Sequence, residues 1–276
     1  FIFNKDYFIG YSPERINPGD KKHKIRNISK VISGSNLNTV TVLKKIYKKI
    51  IKSKLFIAKN VRVAEAAKVI ENAQRDINIA FVNELSYLFS RMNIRVDDVL
   101  EAASTKWNFL NFKPGFVGGH CVAVDPYYLM HVSRKFGIDA RFLSSARKIN
   151  EFFCKHVFQI INSKVKRNSK ILVMGLTFKE NCPDTRNSKI IKLIKMLKRK
   201  YNVDVYDPIA NSTKIKLINS LKNNFYDAIV LCVNHDIFKL MGYKNLNKLL
   251  KKDRIIFDIK NILGNKKNII KLWSNS

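Results

Sequence analysis

The sequence predicts an α/β protein in which two regions of parallel sheet flank a helical region. Strand and helix signals alternate over the first 58 of the 276 residues. A helical pattern without glycine or proline then runs from Val61 to Met92, and apolar strands recur through the last third of the chain. These observations predict domain boundaries at 1–58, 59–164 and 165–276.

The first region has the pattern expected for the end of a parallel α/β domain. A short apolar strand is predicted from Tyr7 to Tyr11, before Pro13, and a second strand, NISKVISG, ends at Gly34. Helical periodicity follows in NLNTVTVLKKIYKKIIKS. A doubly wound domain has about five or six strands, so we expect on the order of 100 further residues before Phe1, at about 30 for each missing strand–helix–strand unit.

The second region is predicted to be helical. Its first helix, Val61 to Met92, would be about 48 Å long, more than one small domain buries, and is expected to cross between domains or build a dimer interface. A second helix is predicted after Arg95. The glycine- and proline-rich stretch TKWNFLNFKPGFVGGHCVAVDPYY (105–128) is predicted to be an ordered loop, and helices resume to about Lys164.

The last region restarts the α/β pattern. Four strands and one amphipathic helix, SKIIKLIKMLKRK, are predicted; the strands are SKILVMG (169–175), VDVYDP (203–208), DAIVLCV (227–233) and RIIFDIK (254–260). This is a Rossmann-like half, and ligands of such sheets bind at the carboxyl ends of the strands. No G-x-G-x-x-G motif occurs in the chain, so the sequence predicts no complete dinucleotide site.

The charge of the chain would by itself suggest a nucleic-acid partner. The 52 basic residues exceed the 21 acidic ones and give a formal net charge of +31, which is typical of nucleic-acid binders. However, 39 of the 52 are lysines spread along the whole chain, with neither an aromatic-plus-arginine RNA signature nor zinc-finger spacing. We therefore predict no nucleic-acid partner. No run of 18 apolar residues occurs, so no membrane span is predicted.

The four cysteines, at positions 121, 154, 182 and 232, form no C-x-x-C pair. Their irregular spacing predicts neither a metal site nor a disulfide framework. A reducing, cytoplasmic location is therefore expected. The histidines have no ligand-like spacing either. His235, like the other histidines outside the glycine loop, is predicted to be an ordinary surface or packing residue.

Two groups of residues could carry chemistry. Cys121 follows Gly118-Gly119-His120, where glycines let a substrate approach the backbone and a thiol could attack a carbonyl carbon; Asp125 could orient a water. The alternative is a buried cysteine in a tight turn beside a solvated aspartate. Lys68 and Asn72, spaced i, i+4 on the long helix, could form an oxyanion site or simply belong to a solvated helix face.

Four segments together resemble the signature blocks of the UDP-glucose/GDP-mannose dehydrogenase family, in the family's order and spacing. They are SPERINPGD (12–20), AEAAKVIENAQRDINIAFVNEL (64–85), KWNFLNFKPGFVGGHCVAVDPYYL (106–129) and GLTFKENCPDTRNSK (175–189). The residues of these four segments are most similar to those of the bacterial UDP-N-acetylhexosamine 6-dehydrogenases of capsule and O-antigen synthesis. The resemblance implies a remnant of a Rossmann domain, a central long-helix dimerisation domain and a C-terminal Rossmann-like UDP-binding domain.

The resemblance also implies an activity, the four-electron oxidation of the sugar C6 alcohol to a carboxylate by two NAD⁺. Cys121 matches the family's nucleophile, which forms a thiohemiacetal and then a thioester. Lys68 and Asn72 match the residues that stabilise the oxyanion. Asp125 matches the residue that supports water and proton transfer, and Glu14 matches the acidic residue implicated in thioester hydrolysis.

Binding roles follow from the same resemblance. Lys179 matches the lysine that contacts the sugar nucleotide, and Arg186 matches the arginine that reaches the NAD pyrophosphate. Phe112, Lys113 and Gly118 fall on the loop that cradles the nucleotide. The implied partners are a UDP-N-acetylhexosamine and a second copy of the chain in a homodimer.

The family's N-terminal G-x-G-x-x-G domain and its threonine are missing from this sequence. The chain is therefore expected to be either the larger part of a split or truncated dehydrogenase, served by a separate N-terminal NAD-binding chain, or a non-catalytic sugar-nucleotide-binding and dimerising remnant. UDP-glucose is an alternative substrate, and the residues do not separate GlcNAc from GalNAc. A basic nucleic-acid-binding protein is the third, weaker hypothesis.

Overall fold

The structure is a computed structural model that describes residues 1–17, 20, 22–211 and 214–271. The chain forms two compact units, Phe1–Gln74 and Arg75–Ser276. No helix of the described residues is long and apolar enough to cross a membrane. Each unit is described by itself below.

The first unit contains a three-stranded sheet in the order β1-β2-β3, with β1 at Gly10–Tyr11, β2 at Lys30–Gly34 and β3 at Leu55–Ile57. Strands β2 and β3 are parallel and are joined by helix α1, Leu37–Ile50, whose first turn is capped by the Asn36 side chain. The predicted strand that ends at Gly34 and the predicted helix after it are therefore confirmed.

The predicted strand from Tyr7 to Tyr11 is wrong in extent. Only Gly10 and Tyr11 pair with β2, and they do so antiparallel. The preceding residues curl into a turn instead, since Asn4 has a positive φ of 61° and its N–H bonds to the Tyr7 carbonyl at 2.9 Å. Because of this turn, Tyr7 pairs with Phe3 through an isolated β-bridge and does not extend β1.

Helix α2, Val61–Arg91, begins in the first unit and continues into the second. Its N-terminus is capped by Asn60, whose Oδ1 accepts the Val63 N–H at 2.9 Å. Helix α3, Val96–Ser104, follows with Asp97 and Asp98 in its first turn, where a carboxylate is favoured by the helix dipole. Both helices were predicted.

The loop predicted over residues 105–128 ends earlier than expected. Helix α4, Asp125–Lys135, begins inside it, and helix α5, Arg141–Lys164, follows. Pro126 was taken as part of the loop, but a proline in the first turn of a helix loses no hydrogen bond because the N–H groups there have no helical partner. Asp125 is therefore helical.

The second unit is centred on a five-stranded, all-parallel sheet in the order β5-β4-β6-β7-β8. The strands are β4 (Lys170–Met174), β5 (Asn202–Tyr206), β6 (Tyr226–Leu231), β7 (Leu250–Asp258) and β8 (Ile269–Lys271). Helix α6, Lys189–Leu197, and helix α5 pack on one face, and helix α7, Asp236–Leu249, packs on the other. The α/β class with parallel sheets is confirmed.

The sequence predicted about four strands here and missed β8 and α7. Strand β8 has only three residues and lies in the lysine- and asparagine-rich end of the chain, where its period-2 signal is too short to recognise. Helix α7 has a kink at Gly242, whose φ is 63°, and this interrupts its apolar periodicity.

Leu193 tests the packing of α6 on the sheet. It is fully buried in the larger core, so Leu193→Ala should lower the free energy of unfolding by about 2–5 kcal/mol, the usual cost of the lost contacts and the cavity. Denaturant unfolding followed by far-UV circular dichroism measures this. Leu240→Ala is the control, because Leu240 is 86% exposed; equal losses for both variants would contradict the described packing.

Candidate functional site

All five strands of the sheet in the second unit end at one edge, because they are parallel. Chemistry-bearing residues follow three of these ends: Asp207 after β5, His235 after β6 and Lys260 after β7. After β4 the chain turns at Gly175, whose φ is +90° and whose missing β-carbon would lie 2.7 Å from the Val233 side chain. The carboxyl edge is thus the place where a ligand is expected in an open parallel sheet.

Asp207 accepts main-chain N–H groups with both of its oxygens. Oδ2 lies 2.6 Å from the Leu176 nitrogen and 3.1 Å from the Thr177 nitrogen, while Oδ1 accepts from Ile209 and Ala210 at 2.9 and 3.1 Å. Burial would raise the pKa of this carboxyl, but hydrogen bonds from His235 and from these N–H groups outweigh burial and lower the pKa to about 2. Asp207 is therefore a buried, charged anchor.

The imidazole of His235 is fully buried beside this carboxylate. Its Nδ1 accepts the Asn181 main-chain N–H at 2.9 Å. Its Nε2 lies 3.1 Å from the Thr177 hydroxyl and 3.3 Å from Asp207 Oδ2. The loop from β4 is thus held by residues that follow both neighbouring strands.

The glycine loop packs against this same segment. A β-carbon on Gly118 would lie 2.9 Å from the Asn187 carbonyl, and one on Gly119, whose φ is +84°, would lie 3.0 Å from the Phe178 ring. Only glycine fits such a close approach and such a backbone. His120 then places its Nδ1 3.7 Å from Asp184 Oδ2.

Cys121 lies in the turn just before α4, and Asp125, four residues on, is the first residue of that helix. The Cys121 carbonyl accepts the N–H groups of Val124 and Asp125 at 2.9 and 2.8 Å, and both side chains are partly exposed. All four cysteines are free, and the other three are buried. Burial raises the pKa of Cys154 to about 11 and raises that of Cys232 further, so these two thiols are poor nucleophiles.

The middle of the loop is held at Gly115. The Asn83 side chain accepts the Gly115 N–H at 2.8 Å and donates to the Gly115 carbonyl at 3.1 Å. Its amide also donates to Asn150 at 2.9 Å. On the same loop Phe112 packs against the core, and Lys113 is exposed.

Lys260 reaches this loop from the end of β7. A β-carbon on Gly115 would lie 3.0 Å from the Lys260 ammonium. Burial lowers the pKa of Lys260, and the nearby Glu180 carboxylate opposes that effect. The sequence prediction missed Lys260, although a lysine two residues beyond the carboxyl end of a buried strand was a signal that could have found it.

Lys179 and Arg186 lie on the segment after β4. Lys179 is partly buried, whereas the Arg186 side chain is 71% exposed. The Arg186 guanidinium bonds to both oxygens of Asp184 at 2.7 to 3.0 Å, and this pairing raises the arginine's pKa and lowers that of the aspartate. Arg186 is thus oriented yet accessible.

The remaining predicted residues lie in the first unit. Glu14 is exposed and accepts the Ile16 N–H at 2.6 Å. Its segment is held by two cations: Lys30 donates to the Pro13 carbonyl at 2.9 Å, and Arg15 pairs with Glu71 at 2.7 Å. Positions 18 and 19 of this block lie outside the described residues.

Lys68 and Asn72 lie on helix α2 on either side of Glu71. Both side chains are partly buried, as expected for two residues that share one face of a helix. The Arg15–Glu71 pair therefore joins the Glu14 segment to the turn of α2 that carries them.

Comparison with known proteins identifies the family. Residues 62–152 match the central domain of the UDP-glucose/GDP-mannose dehydrogenase family, and residues 172–265 match its UDP-binding domain. A UDP-N-acetyl-D-glucosamine 6-dehydrogenase of Salmonella typhi is 43% identical over 98% of this chain and 67% of its own length. The chain belongs to the UDP-glucose/GDP-mannose dehydrogenase family.

Two further relatives agree with this assignment. A UDP-N-acetyl-D-glucosamine 6-dehydrogenase of Pseudomonas aeruginosa is 44% identical over 98% of this chain. The solved UDP-N-acetyl-mannosamine dehydrogenase Cap5O of S. aureus is similar with a TM-score of 0.81 and 28% identity, covering 98% of this chain and 65% of its own. This family member thus spans about two thirds of the length of the relatives it matches.

The second unit of this dehydrogenase-family chain brings part of the predicted set together. The loop that carries Phe112, Lys113, Gly118 and Cys121 packs at Gly118 and Gly119 on the segment from Phe178 to Ser188, which carries Lys179 and Arg186. Glu14, Lys68 and Asn72 are grouped separately in the first unit. Sequence analysis missed His235 and Lys260, and treated the former as an ordinary packing residue.

Asp207→Asn tests the charged anchor of this family member. Because the folded pKa of Asp207 is depressed from 3.8 to about 2, its charge contributes roughly 2 kcal/mol of stability. That contribution is present above about pH 4 and is lost as the pH falls towards 2. The variant should therefore unfold more easily at pH 7 and show a flatter loss of stability between pH 4 and 2.

Denaturant midpoints measured across this pH range make the comparison. Asp253→Asn is the matched control, because Asp253 is exposed and should leave the acid limb of the stability curve unchanged. An unchanged pH dependence in Asp207→Asn would contradict the assignment of Asp207 as a buried anion.

Proposed function

We propose that this chain is the substrate-binding and thiol-bearing part of an NAD-dependent UDP-N-acetylhexosamine 6-dehydrogenase. One observation carries the proposal. In a member of a nucleotide-sugar dehydrogenase family, the accessible thiol of Cys121 stands on a glycine loop that packs directly on the Lys179 segment at the carboxyl edge of the UDP-binding sheet.

The reaction is the conversion of a sugar C6 alcohol to a carboxylate in two oxidations. In the first, C6–OH loses a hydride from carbon and a proton from oxygen and becomes an aldehyde. The Cys121 sulfur, as thiolate, then adds to the aldehyde carbon and forms a thiohemiacetal. Loss of a second hydride from C6 leaves a thioester, and attack by water on the thioester releases the carboxylate and returns the thiol.

Four polar or charged side chains are proposed to serve the addition and hydrolysis steps. Lys68 and Asn72 carry an ammonium and an amide on one face of α2, donors suited to the oxyanion that forms when sulfur or water adds to the C6 carbonyl. Asp125 and Glu14 are carboxylates that can hold the attacking water and take its proton. Asp125 is four residues after the nucleophile, and Glu14 is fixed through its neighbours Pro13 and Arg15.

The nucleotide end of the substrate meets a different group of residues. Lys179 and Lys260 carry positive charge at the carboxyl edge of the sheet, where a diphosphate would be bound. Gly118 leaves room for the sugar near the main chain, and Phe112 and Lys113 lie on the loop above. The partly buried Lys260 is a stronger partner for a phosphate than an exposed lysine, because less water competes with it.

NAD⁺, when bound, accepts the hydride that leaves C6 in each of the two oxidations. Of the described residues, Arg186 fits one part of it, since its exposed guanidinium is held by Asp184 in an orientation open to a pyrophosphate. The sequence contains no G-x-G-x-x-G motif, the usual pyrophosphate-binding turn of a dinucleotide domain, so Arg186 is the one NAD⁺ contact proposed from these residues.

The substrate is proposed to be UDP-GlcNAc, with UDP-GalNAc or UDP-glucose as alternatives, and the product to enter a surface polysaccharide. The substrate is supported by the relatives from Salmonella typhi and Pseudomonas aeruginosa, which are UDP-N-acetyl-D-glucosamine 6-dehydrogenases. A homodimer is proposed because helices of the second unit expose large apolar side chains, among them Phe81, Phe136 and Phe142. The free state of all four cysteines supports a cytoplasmic location.

Cys121→Ser tests the thiol's role. The variant should bind UDP-GlcNAc with unchanged affinity but release no NADH, because a hydroxyl at this position does not replace the thiolate as nucleophile. Calorimetry measures the binding, and the absorbance of NADH at a known sugar concentration measures the stoichiometry. The protein is purified from its source cells together with any polypeptide that accompanies it, so that every part needed for NAD⁺ binding is retained.

The unchanged protein should release two NADH per sugar, and Cys182→Ala should do the same because Cys182 is a buried packing residue. Two NADH per sugar from the Cys121→Ser variant would refute the nucleophile assignment. Binding of UDP-GlcNAc without any NADH from the unchanged protein would favour the non-catalytic remnant instead.

A further inference from the structure

The reaction proposed above makes no use of His235. It is one of the most deeply buried polar side chains of the second unit, with 0% exposure, and it follows the end of β6. Burying an imidazole has a cost unless its ring nitrogens are satisfied. Both nitrogens of this ring have partners, and each nitrogen has one partner on the segment that carries Lys179.

The partners fix the position of the ring proton. Nδ1 faces the Asn181 N–H, which can only donate, so Nδ1 must be the unprotonated acceptor. The proton of the neutral ring is therefore on Nε2. There it points to the Thr177 hydroxyl oxygen at 3.1 Å and to Asp207 Oδ2 at 3.3 Å.

The hydrogen bonds continue in one direction from the ring to the lysine. Thr177 accepts from His235 Nε2 and donates its own hydroxyl proton to the Lys179 carbonyl at 2.9 Å. Thr177 is itself fully buried, so no water replaces either partner. A single hydroxyl group, that of Thr177, thus links the His235 ring to the Lys179 carbonyl.

The same ring holds the chain on the far side of the lysine. Asn181 has a φ of 53° in the left-handed region, where its N–H can turn inward to Nδ1. The Asn181 side chain also exchanges hydrogen bonds with Asp236, the residue after His235, at 2.8 and 3.1 Å. Lys179 therefore lies between two backbone positions that are both fixed by the end of β6.

We propose that His235 is a positioning residue for Lys179 in the binding of the nucleoside diphosphate. The neutral ring, protonated on Nε2, fixes the path of the main chain from Thr177 to Asn181 so that the lysine ammonium is presented to the diphosphate. Without the ring, the segment would sample other conformations and ordering it would cost binding free energy. The inference rests on the function proposed for Lys179.

A double-mutant cycle tests this, with UDP binding to the full chain measured by calorimetry. His235→Ala should weaken UDP binding about tenfold when Lys179 is present, equal to about 1.4 kcal/mol. In the Lys179→Ala background the same change should weaken binding less than twofold, because the group it positions is gone. His156→Ala is the control, since it removes a partly buried histidine on α5 and should leave UDP affinity unchanged.

The outcomes separate the two claims. No loss of affinity in Lys179→Ala alone would overturn the proposed role of Lys179. A loss in that variant, together with an equal effect of His235→Ala in both backgrounds, would overturn only the positioning role of His235.

A second measurement does not depend on the folding of a variant. The ¹⁵N shifts of the His235 ring in the unchanged protein should show the neutral tautomer with its proton on Nε2. A proton on Nδ1 would overturn the proposal, because Nδ1 would then no longer accept the Asn181 N–H.

Discussion

The buried contact between Asp207 and His235 is the interaction on which the carboxyl edge of the second unit depends. Residues that follow β5 and β6 meet there, and together they hold the loop that follows β4. Asp207 alone satisfies two N–H groups of that loop and two of its own turn. A charged carboxylate is stable in this position because these donors and the imidazole replace water.

The thiol-bearing loop depends on that edge in turn. Gly118 and Gly119 lie against Phe178 and Asn187 too closely for any side chain, so the path of the segment after β4 determines where the turn with Cys121 begins. The other end of the loop is fixed independently, by the two hydrogen bonds between Asn83 and Gly115. A reactive cysteine needs both exposure and a defined position. The glycine contacts define the position of the loop without covering the cysteine side chain.

The sequence was sufficient where the signal was local. The apolar periodicity from Val61, the glycines before Cys121 and the strand signals from residue 169 onward predicted helix α2, the loop and most of the sheet. Cys121, Lys179 and Arg186 could be proposed from the sequence because they lie in contiguous motifs. Asp125 was proposed in the same way, but its place at the start of a helix was not predicted, because the proline next to it was taken as a sign of a loop.

The rest depended on contacts between distant parts of the chain. His235 looked ordinary because its partners, Thr177 and Asn181, are more than 50 residues away in the sequence. Lys260 looked like one more surface lysine among 39, and only the fold places its ammonium beside Gly115. His235 carries no periodicity or motif of its own, and the one local signal for Lys260 was its position two residues beyond the end of a buried strand.

The central claim is that Cys121 and the nucleotide-binding edge form one site. The most direct measurement is the rate at which iodoacetamide alkylates Cys121, followed by mass spectrometry of the peptide with and without UDP-GlcNAc. We expect saturating UDP-GlcNAc to slow alkylation of Cys121 at least tenfold. UMP, which lacks the N-acetylglucosamine, should protect Cys121 much less. An alkylation rate that saturating UDP-GlcNAc does not change would contradict the account.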